Sequence, residues 1–439
     1  MRILLIATNR HGRLMSRMNA QPLPIGLAYV AGYLDPDRHP VKVLDLMFAD
    51  DYLAEVESSV RDFRPDLVGV SLRNLDNGSY LDPQWALPAT KEVIARVRKI
   101  SQATVVCGGP AFSILPKECF SHVEPDLGIA GDAGETFAEL ADRLESKKPY
   151  HDLPGLVFRK GAEIVYNGTL ASSSFAKPPR LDDLEMAKYR QAGFGIGVLT
   201  KLGSFHYPTG SSNGEVGGEV EQSAWRVIRP IGEVVDEVKE MERRFDLRKV
   251  FFIDNGFNIP LDHAKSLCRA LIASDLKLHW NTCLAPYNCD LELVRLMKKA
   301  GCALVIIVGS GGDAYRGVPL DKQLVDEQLE QLARVCEICQ DGDLYYSITQ
   351  VFGTPGETCE SVEAKLTFLR NIKPALANLR VGMRMLPGSD IAALARQEGL
   401  ISDESELIKP TFYVAESVRG WIVDRLKAEA SQQPRWNVI

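Results

Sequence analysis

No stretch of this chain stays apolar for the ~18–20 residues that a membrane-spanning helix requires, so no membrane segment is expected. There is no basic stripe, and the formal charge is −7; nucleic-acid recognition, which draws on clustered Lys and Arg, is not indicated. The opening MRILLIATNRHGR has an apolar core too short for an export signal and reads as a first strand. No Gly-x-Gly-x-x-Gly follows that strand, so the dinucleotide fingerprint is missing. Nine cysteines are scattered over 439 residues, with none between Cys119 and Cys268. Without an export signal, free thiols in a reducing cytoplasm are the expectation.

What is present is an ordinary globular balance, 45% hydrophobic and 25% charged, in a length suited to two or three domains. Apolar runs RILLIA, VKVLDL, DLVGVSL, ATVVCGG and DLGIAG alternate with helix-period segments such as PIGLAYVAGYL, DYLAEVESSVRDF and ETFAELADRLE. Short turns between them argue a parallel sheet with helices on both faces, a Rossmann-like or flavodoxin-like domain at 1–148. Residues 149–190 read as a hairpin, GLVFRKGAEIVYNG, and a serine- and proline-rich linker. A second alternating series fills 191–390 with about six strand–helix units. It predicts a (β/α)6 partial barrel with function at the carboxyl ends of its strands. Residues 391–439 form a small C-terminal extension packed on it. The fold class is therefore α/β throughout.

Polar and glycine-rich stretches follow the strands. In the first domain SLRNLDNGS brings Ser71, Leu72, Arg73, Asn74 and Asn77 to a strand end, where an open sheet holds its ligand. The next two strands are followed by Gly108, Gly109 and Pro110, and by Gly131, Gly134 and Glu135. These glycines either admit a large or phosphate-bearing ligand or simply make tight turns. In the second domain the corresponding stretches are IDNGFN, VGSGGD, VFGTPGET and RMLPGSD, holding Asp254, Asn255, Ser310, Gly353, Glu357 and Arg384. They either line a pocket for a polar ligand or close the barrel's turns. Cys336 and Cys339 sit inside a predicted helix, which speaks against a redox or metal pair. His206 stands alone in its loop, and such a histidine is more often solvated than catalytic.

The order of these pieces resembles the cobalamin-binding radical S-adenosylmethionine (SAM) proteins over residues 1–390. PLPIGLAYVAGYL, PDLVGVSLRNLDN, VVCGGPAFSILP and GIAGDAGETFAEL are similar to that family's cobalamin domain. RPIGEVVDEVKEM, FFIDNGFNIPLDHAKSLC, LMKKAGC and FGTPGETCESV are similar to its barrel. The resemblance implies cobalamin lying on the loop Ser71–Asn77, with its nucleotide tail near Gly108–Gly109 and Gly131–Glu135. Asp37-Arg38-His39 starts like the motif whose histidine ligates cobalt, but Lys42 stands where its glycine belongs, so these residues read as a turn and no histidine is expected under the metal. SAM would lie near Asp254, Ser310, Gly353 and Arg384.

One departure decides the mechanism. Family members follow the first barrel strand with Cys-x-x-x-Cys-x-x-Cys, whose thiolates hold a [4Fe–4S] cluster that binds and cleaves SAM. Here Thr200-Lys201-Leu202-Gly203 is kept, and the three slots hold Ser204, Pro208 and Ser211. A cluster-free enzyme is the resulting expectation. It would use reduced cobalamin for non-radical methyl or other alkyl transfer, or for cyclisation of a SAM-derived fragment. It implies a small-molecule substrate, an external reductant such as a flavodoxin, and a general base for which Asp254, His206 and Glu357 are candidates by position. The other reading is a non-catalytic cobalamin sensor, chaperone or partner subunit.

Overall fold

The computed structural model describes residues 1–8, 22–168, 177–191, 196–203, 225–254, 256–309 and 319–439. The chain divides into two compact units: Met1–Asn77 with Gln84–Ile196, and Gly78–Pro83 with Gly197–Ile439.

In the first unit the strands are β1 (Ile3–Ala7), β2 (Val41–Asp45), β3 (Leu67–Ser71), β4 (Thr104–Gly108), β5 (Leu127–Ile129), β6 (Leu156–Lys160) and β7 (Glu163–Tyr166). They form one seven-stranded sheet in the order β2-β1-β3-β4-β5-β6-β7. The first five lie parallel, and β1 is buried at every residue. That is why ILLIA is a continuous apolar run and does not alternate: a central parallel strand is covered on both faces. Among the helices are α1 (Ile25–Tyr33), α2 (Tyr52–Phe63), α3 (Leu87–Ile100), α4 (Pro110–Ile114), α5 (Pro116–Val123), α6 (Ala133–Glu145) and α7 (Met186–Gln191). Leu27 and Ala31 of α1 and Phe137, Leu140 and Ala141 of α6 share one core with Ile3, Leu5 and Ala7. The hairpin expected in the linker belongs to this sheet instead: β6 pairs antiparallel with β5, and β7 with β6. Leu156, Val157 and Phe158 are buried there, and that apolar surface requires the sheet behind it.

The second unit is built on β8 (Gly197–Val198), β11 (Lys249–Phe252), β12 (His279–Leu284), β13 (Cys302–Val308), β14 (Tyr346–Phe352), β15 (Leu376–Val381) and β18 (Trp436–Val438). Short β9 (Lys201–Gly203) pairs with β10 (Trp225–Ile228), and β16 (Met383–Arg384) with β17 (Phe412–Tyr413). The main sheet runs β18-β15-β14-β13-β12-β11-β8, with every pair parallel. The C-terminal extension does more than pack on the barrel, since it supplies the edge strand β18. Helices α8 (Ile231–Phe245), α9 (Leu261–Ala273), α10 (Leu291–Lys299), α11 (Lys322–Asp341) and α12 (Cys359–Ile372) connect the strands. Beyond β15 come α13 (Asp390–Gln397), α14 (Glu416–Arg419) and α15 (Ile422–Ser431).

Because spatial order follows chain order, right-handed crossovers put the connecting helices on one face of this sheet. Val250, Phe252, Trp280, Val305, Ile307, Ile348 and Leu379 share that face and are fully buried. The indole of Trp280 donates to the Ala300 carbonyl at the end of α10 (2.9 Å). The alternate residues, Phe251, Asn281, Leu304, Ile306, Thr349 and Arg380 among them, point the other way and are half-buried. The result resembles a partial barrel, and those residues line its concave side.

Candidate functional site

In the first unit the strand order reverses between β1 and β3. In such a sheet the ligand crevice opens outside the carboxyl ends of those two strands. Thr8, just past β1, closes the floor of this crevice. Its hydroxyl donates to the Ser71 carbonyl (2.9 Å) and meets the Thr90 hydroxyl of α3 (3.1 Å). Ser71 ends β3. Leu72 is buried and donates its N–H to the Gly108 carbonyl (2.8 Å). Arg73 and Asn74 follow, both half-buried. The side chains of Ser71, Arg73 and Asn74 have no hydrogen-bond or ion-pair partner among the described residues. Burial lowers the pKa of the Arg73 guanidinium, which nearby Tyr189 partly offsets. Tyr189 donates its hydroxyl to Asp45, whose carboxyl burial has pushed upward. Asn77 is spent on the loop itself: its side-chain oxygen accepts from Gln84 N–H (2.9 Å).

The glycines answer the question the sequence left open. At Gly109 (φ 106°) an added Cβ would lie 2.6 Å from the Leu72 carbonyl oxygen, and at Gly134 2.4 Å from the Tyr33 ring. Both are required by packing inside the unit, whatever binds there. Gly131 donates its N–H to Ser113 Oγ (2.8 Å). Pro110 opens α4, and exposed Glu135 lies in the first turn of α6. His39 stands in the turn before β2, at the opposite end of the sheet, paired with Asp142 (2.9 Å).

In the second unit most of the expected site residues turn inward. Asp254 follows β11 and is 3% exposed. It accepts from the Thr200 hydroxyl and from Thr200 N–H (3.2 Å). The Lys201 ammonium lies 3.6 Å from its carboxylate and donates to the carbonyls of Gly256 (3.1 Å), Phe257 (3.1 Å) and Ile259 (2.9 Å). Burial lowers the Lys201 pKa, and Asp254 opposes that shift. Glu357 is fully buried and ion-paired with Lys365 (2.7 Å). It accepts from Gly353 N–H (3.0 Å), Thr354 N–H (3.2 Å) and the Thr354 hydroxyl (3.0 Å). Thus it folds the very turn that carries Gly353. Arg384 is buried too and donates to the carbonyls of Met385 and Leu407. His206, Asn255 and Ser310 lie outside the described residues, as do Ser204, Pro208 and Ser211.

Four residues on the concave face were not singled out from the sequence: Asn281, Thr349, Asn378 and Arg380. They are polar residues at alternate positions of otherwise apolar strands, HWNTCL, YSITQVF and LANLRV, and that alternation was the available signal. Thr349 pairs in register with Asn378, and Val351 with Arg380. Asn378 donates to the Thr349 hydroxyl (3.4 Å). Asn281 Oδ1 is buried without a partner among the described residues.

The cysteines do not assemble. Among the described residues the one cluster of His, Cys, Asp and Glu with metal-ligand proximity is His39, Asp142 and Glu145, which contains no thiol. Burial pushes the pKa of Cys119, Cys268, Cys283, Cys336 and Cys339 up to about 12.

Residues 15–141 match the B12 binding domain family. The chain is 26% identical over 447 residues to a tryptophan 2-C-methyltransferase of Streptomyces laurentii, covering 85% of this chain and 72% of that protein. It is 21% identical to a cytidylyl-2-hydroxyethylphosphonate methyltransferase of Streptomyces wedmorensis, covering 89% and 80%. The fold is similar to that of the radical S-adenosylmethionine methyltransferase TsrM from Kitasatospora setae, solved with cobalamin and a [4Fe–4S] cluster. The TM-score is 0.79 at 20% identity, over 100% of this chain and 93% of that one. The chain is an enzyme related to these methyltransferases.

Proposed function

We propose that this enzyme binds cobalamin on its first unit and SAM at the strand ends of its second, and transfers a SAM-derived alkyl group without a [4Fe–4S] cluster. The observation that carries the cobalamin half is the trio Ser71, Arg73 and Asn74 at the topological switch point, inside the stretch matching the B12 binding domain. Half-buried polar groups with no partner among the described residues suit a large ligand with a polar rim. The cluster half rests on the donor set: Ser204, Pro208 and Ser211 replace the three cysteines. Proline has no ligand atom and serine is a poor substitute for thiolate, so the residues present do not fit the cluster that the TsrM structure holds.

When bound and reduced, cobalamin supplies a nucleophile able to accept an alkyl group from a sulfonium centre. What the chain contributes is placement. Arg73, Asn74 and Ser71 would hold the cofactor, and His39, paired with Asp142 in the turn before β2 at the opposite end of the sheet, is not placed to serve it. The Glu357–Lys365 pair fixes the Gly353–Thr354 turn against which SAM is held. Asp254 and Glu357, both fully committed inside the unit, are assigned here to holding loops and not to moving protons. Methyl transfer and ring closure of a larger SAM fragment both remain within this scheme, and both draw on a small-molecule substrate and an outside reductant such as a flavodoxin.

The test is a titration of purified protein with hydroxocobalamin followed by visible absorption, with iron and sulfide analysis of the same sample. Retained cobalamin with iron near zero is the expected result; about four irons per chain overturns the cluster-free scheme. Reduced holoprotein incubated with SAM is then assayed for loss of SAM and for any SAM-derived product.

A further inference from the structure

We infer that Arg380 is the anchor of an oxyanion site on the concave face of the second unit, taking a carboxylate or phosphonate group of the reacting molecules. Arg380 lies one residue from the carboxyl end of β15, on the face that carries no connecting helix, beside Val351 of β14. Its Nε is buried and has no hydrogen-bond partner among the described residues. Among the described residues no carboxylate pairs with it. The contact it does make is a long one, Nη2 to the carbonyl of Gly78 (3.3 Å). An arginine used for stability is bonded like Arg384, with carbonyls in front of both terminal nitrogens, or like Arg425, in a fork with Glu363. Arg380 Nε is left unbonded among the described residues, and the Nε edge of a guanidinium fork matches the two oxygens of a carboxylate or phosphonate.

The surroundings are shaped for this guanidinium. Gly78 has φ 62°, and an added Cβ would lie 2.8 Å from Arg380 Nη2, so the glycine makes the room. Residues 78–83 are held in the unit by Tyr80, whose ring meets Phe412 edge-on at 5.9 Å. Two residues before Arg380 on the same face, Asn378 adds a neutral amide with only long bonds to Thr349 (3.4 Å) and Asn437 (3.5 Å). A half-buried cation with neutral polar neighbours and no counter-charge among the described residues selects an anion.

The site itself rests on these contacts; only the naming of SAM as one source of the oxyanion rests on the function proposed above. SAM carries a methionyl carboxylate, and the acceptor is the other source. Two titrations of the full chain separate them. The first compares SAM with decarboxylated SAM on the wild type and on Arg380→Gln. If Arg380 holds the methionyl carboxylate, the wild type prefers SAM by about 10–100-fold and R380Q binds the two alike. The second titrates acetate and inorganic phosphate in the presence of decarboxylated SAM. If Arg380 holds the acceptor's oxyanion, the wild type binds one of these anions, R380Q loses it, and the SAM pair is not distinguished. Arg380→Lys, keeping the charge without the fork, restores part of the lost affinity in whichever titration responds. The wild-type comparisons stand even if R380Q folds poorly. A wild type that distinguishes neither pair, or an R380Q protein that retains every affinity within twofold, overturns the assignment. If SAM fails to bind while the small anions do, the SAM reading falls and the oxyanion site stands.

Discussion

The loop after β3 and the loops after β11 and β14 look alike as sequence: each puts charged and amide residues directly after a buried strand. Their side chains meet opposite fates. In the first unit Ser71, Arg73 and Asn74 stay without partners among the described residues. In the second, Asp254 is tied to Thr200 and Lys201, and Glu357 to Lys365, Gly353 and Thr354. Position at a strand end therefore does not fix the fate of a polar side chain; hydrogen-bond satisfaction is what differs between these loops.

The sharpest way to break this contrast is to remove one member of a satisfied pair. Glu357→Ala leaves the Lys365 ammonium buried and unpaired, and a loss of about 3–5 kcal/mol is expected, read from the urea transition of the second unit. If stability is unchanged, the pair is not what fixes the Gly353 turn. Lys201→Met should cost nearly as much, because Asp254 then faces only Thr200. The double variant Lys201→Met with Asp254→Asn should recover a good part of that loss, and strictly additive single effects would show that the two groups are not coupled.

The unsatisfied loop predicts the reverse pattern. Arg73→Gln should leave stability within about 1 kcal/mol while weakening hydroxocobalamin binding about tenfold or more, measured by absorbance titration. A destabilised variant with unchanged cobalamin affinity would place Arg73 in the satisfied class.

The smallest effect concerns pH. His263 sits 3.3 Å from the Arg229 carbonyl, and burial first, then Lys201, hold its pKa below the ordinary 6.5. As pH falls, the unfolded chain takes up this proton before the folded one does. Stability of the second unit should therefore decline below about pH 6.5 and level off once the folded histidine also titrates. His263→Gln should flatten that part of the profile; an unaltered slope would assign it to other groups.

The strands and helices were largely legible, because continuous apolar runs and helix-period segments are local signals. VVCGG, VKVLDL and KQLVDEQLEQLARVCEICQ became β4, β2 and α11. Where the hairpin and the C-terminal strand would dock was not legible, since pairing of β6 with β5 and of β18 with β15 is decided by distant partners. The loop bearing Arg73 and Asn74 could be placed after a buried strand, where β3 ends at Ser71. Position in a polar strand-end stretch favours Arg384 over Arg380, with three residues between them, and the structure shows them bonded differently. Arg384 bonds to the Leu407 carbonyl, a residue far along the chain, and Arg380 leaves its buried Nε unbonded among the described residues.

The register of β18 has a consequence for how the protein is made. Trp436, Asn437 and Val438 pair with Ala377, Asn378 and Leu379, and Ile439 continues the ladder by donating to the Leu379 carbonyl and accepting from Val381 N–H. On the ribosome, the strand bearing Arg380 is synthesised well before the segment that seals it. During that interval β15 presents an open row of amides and carbonyls, a template for the wrong strand or for a neighbouring nascent chain. Chaperone demand and aggregation during expression should then depend on how quickly the stretch from α13 to β18 emerges.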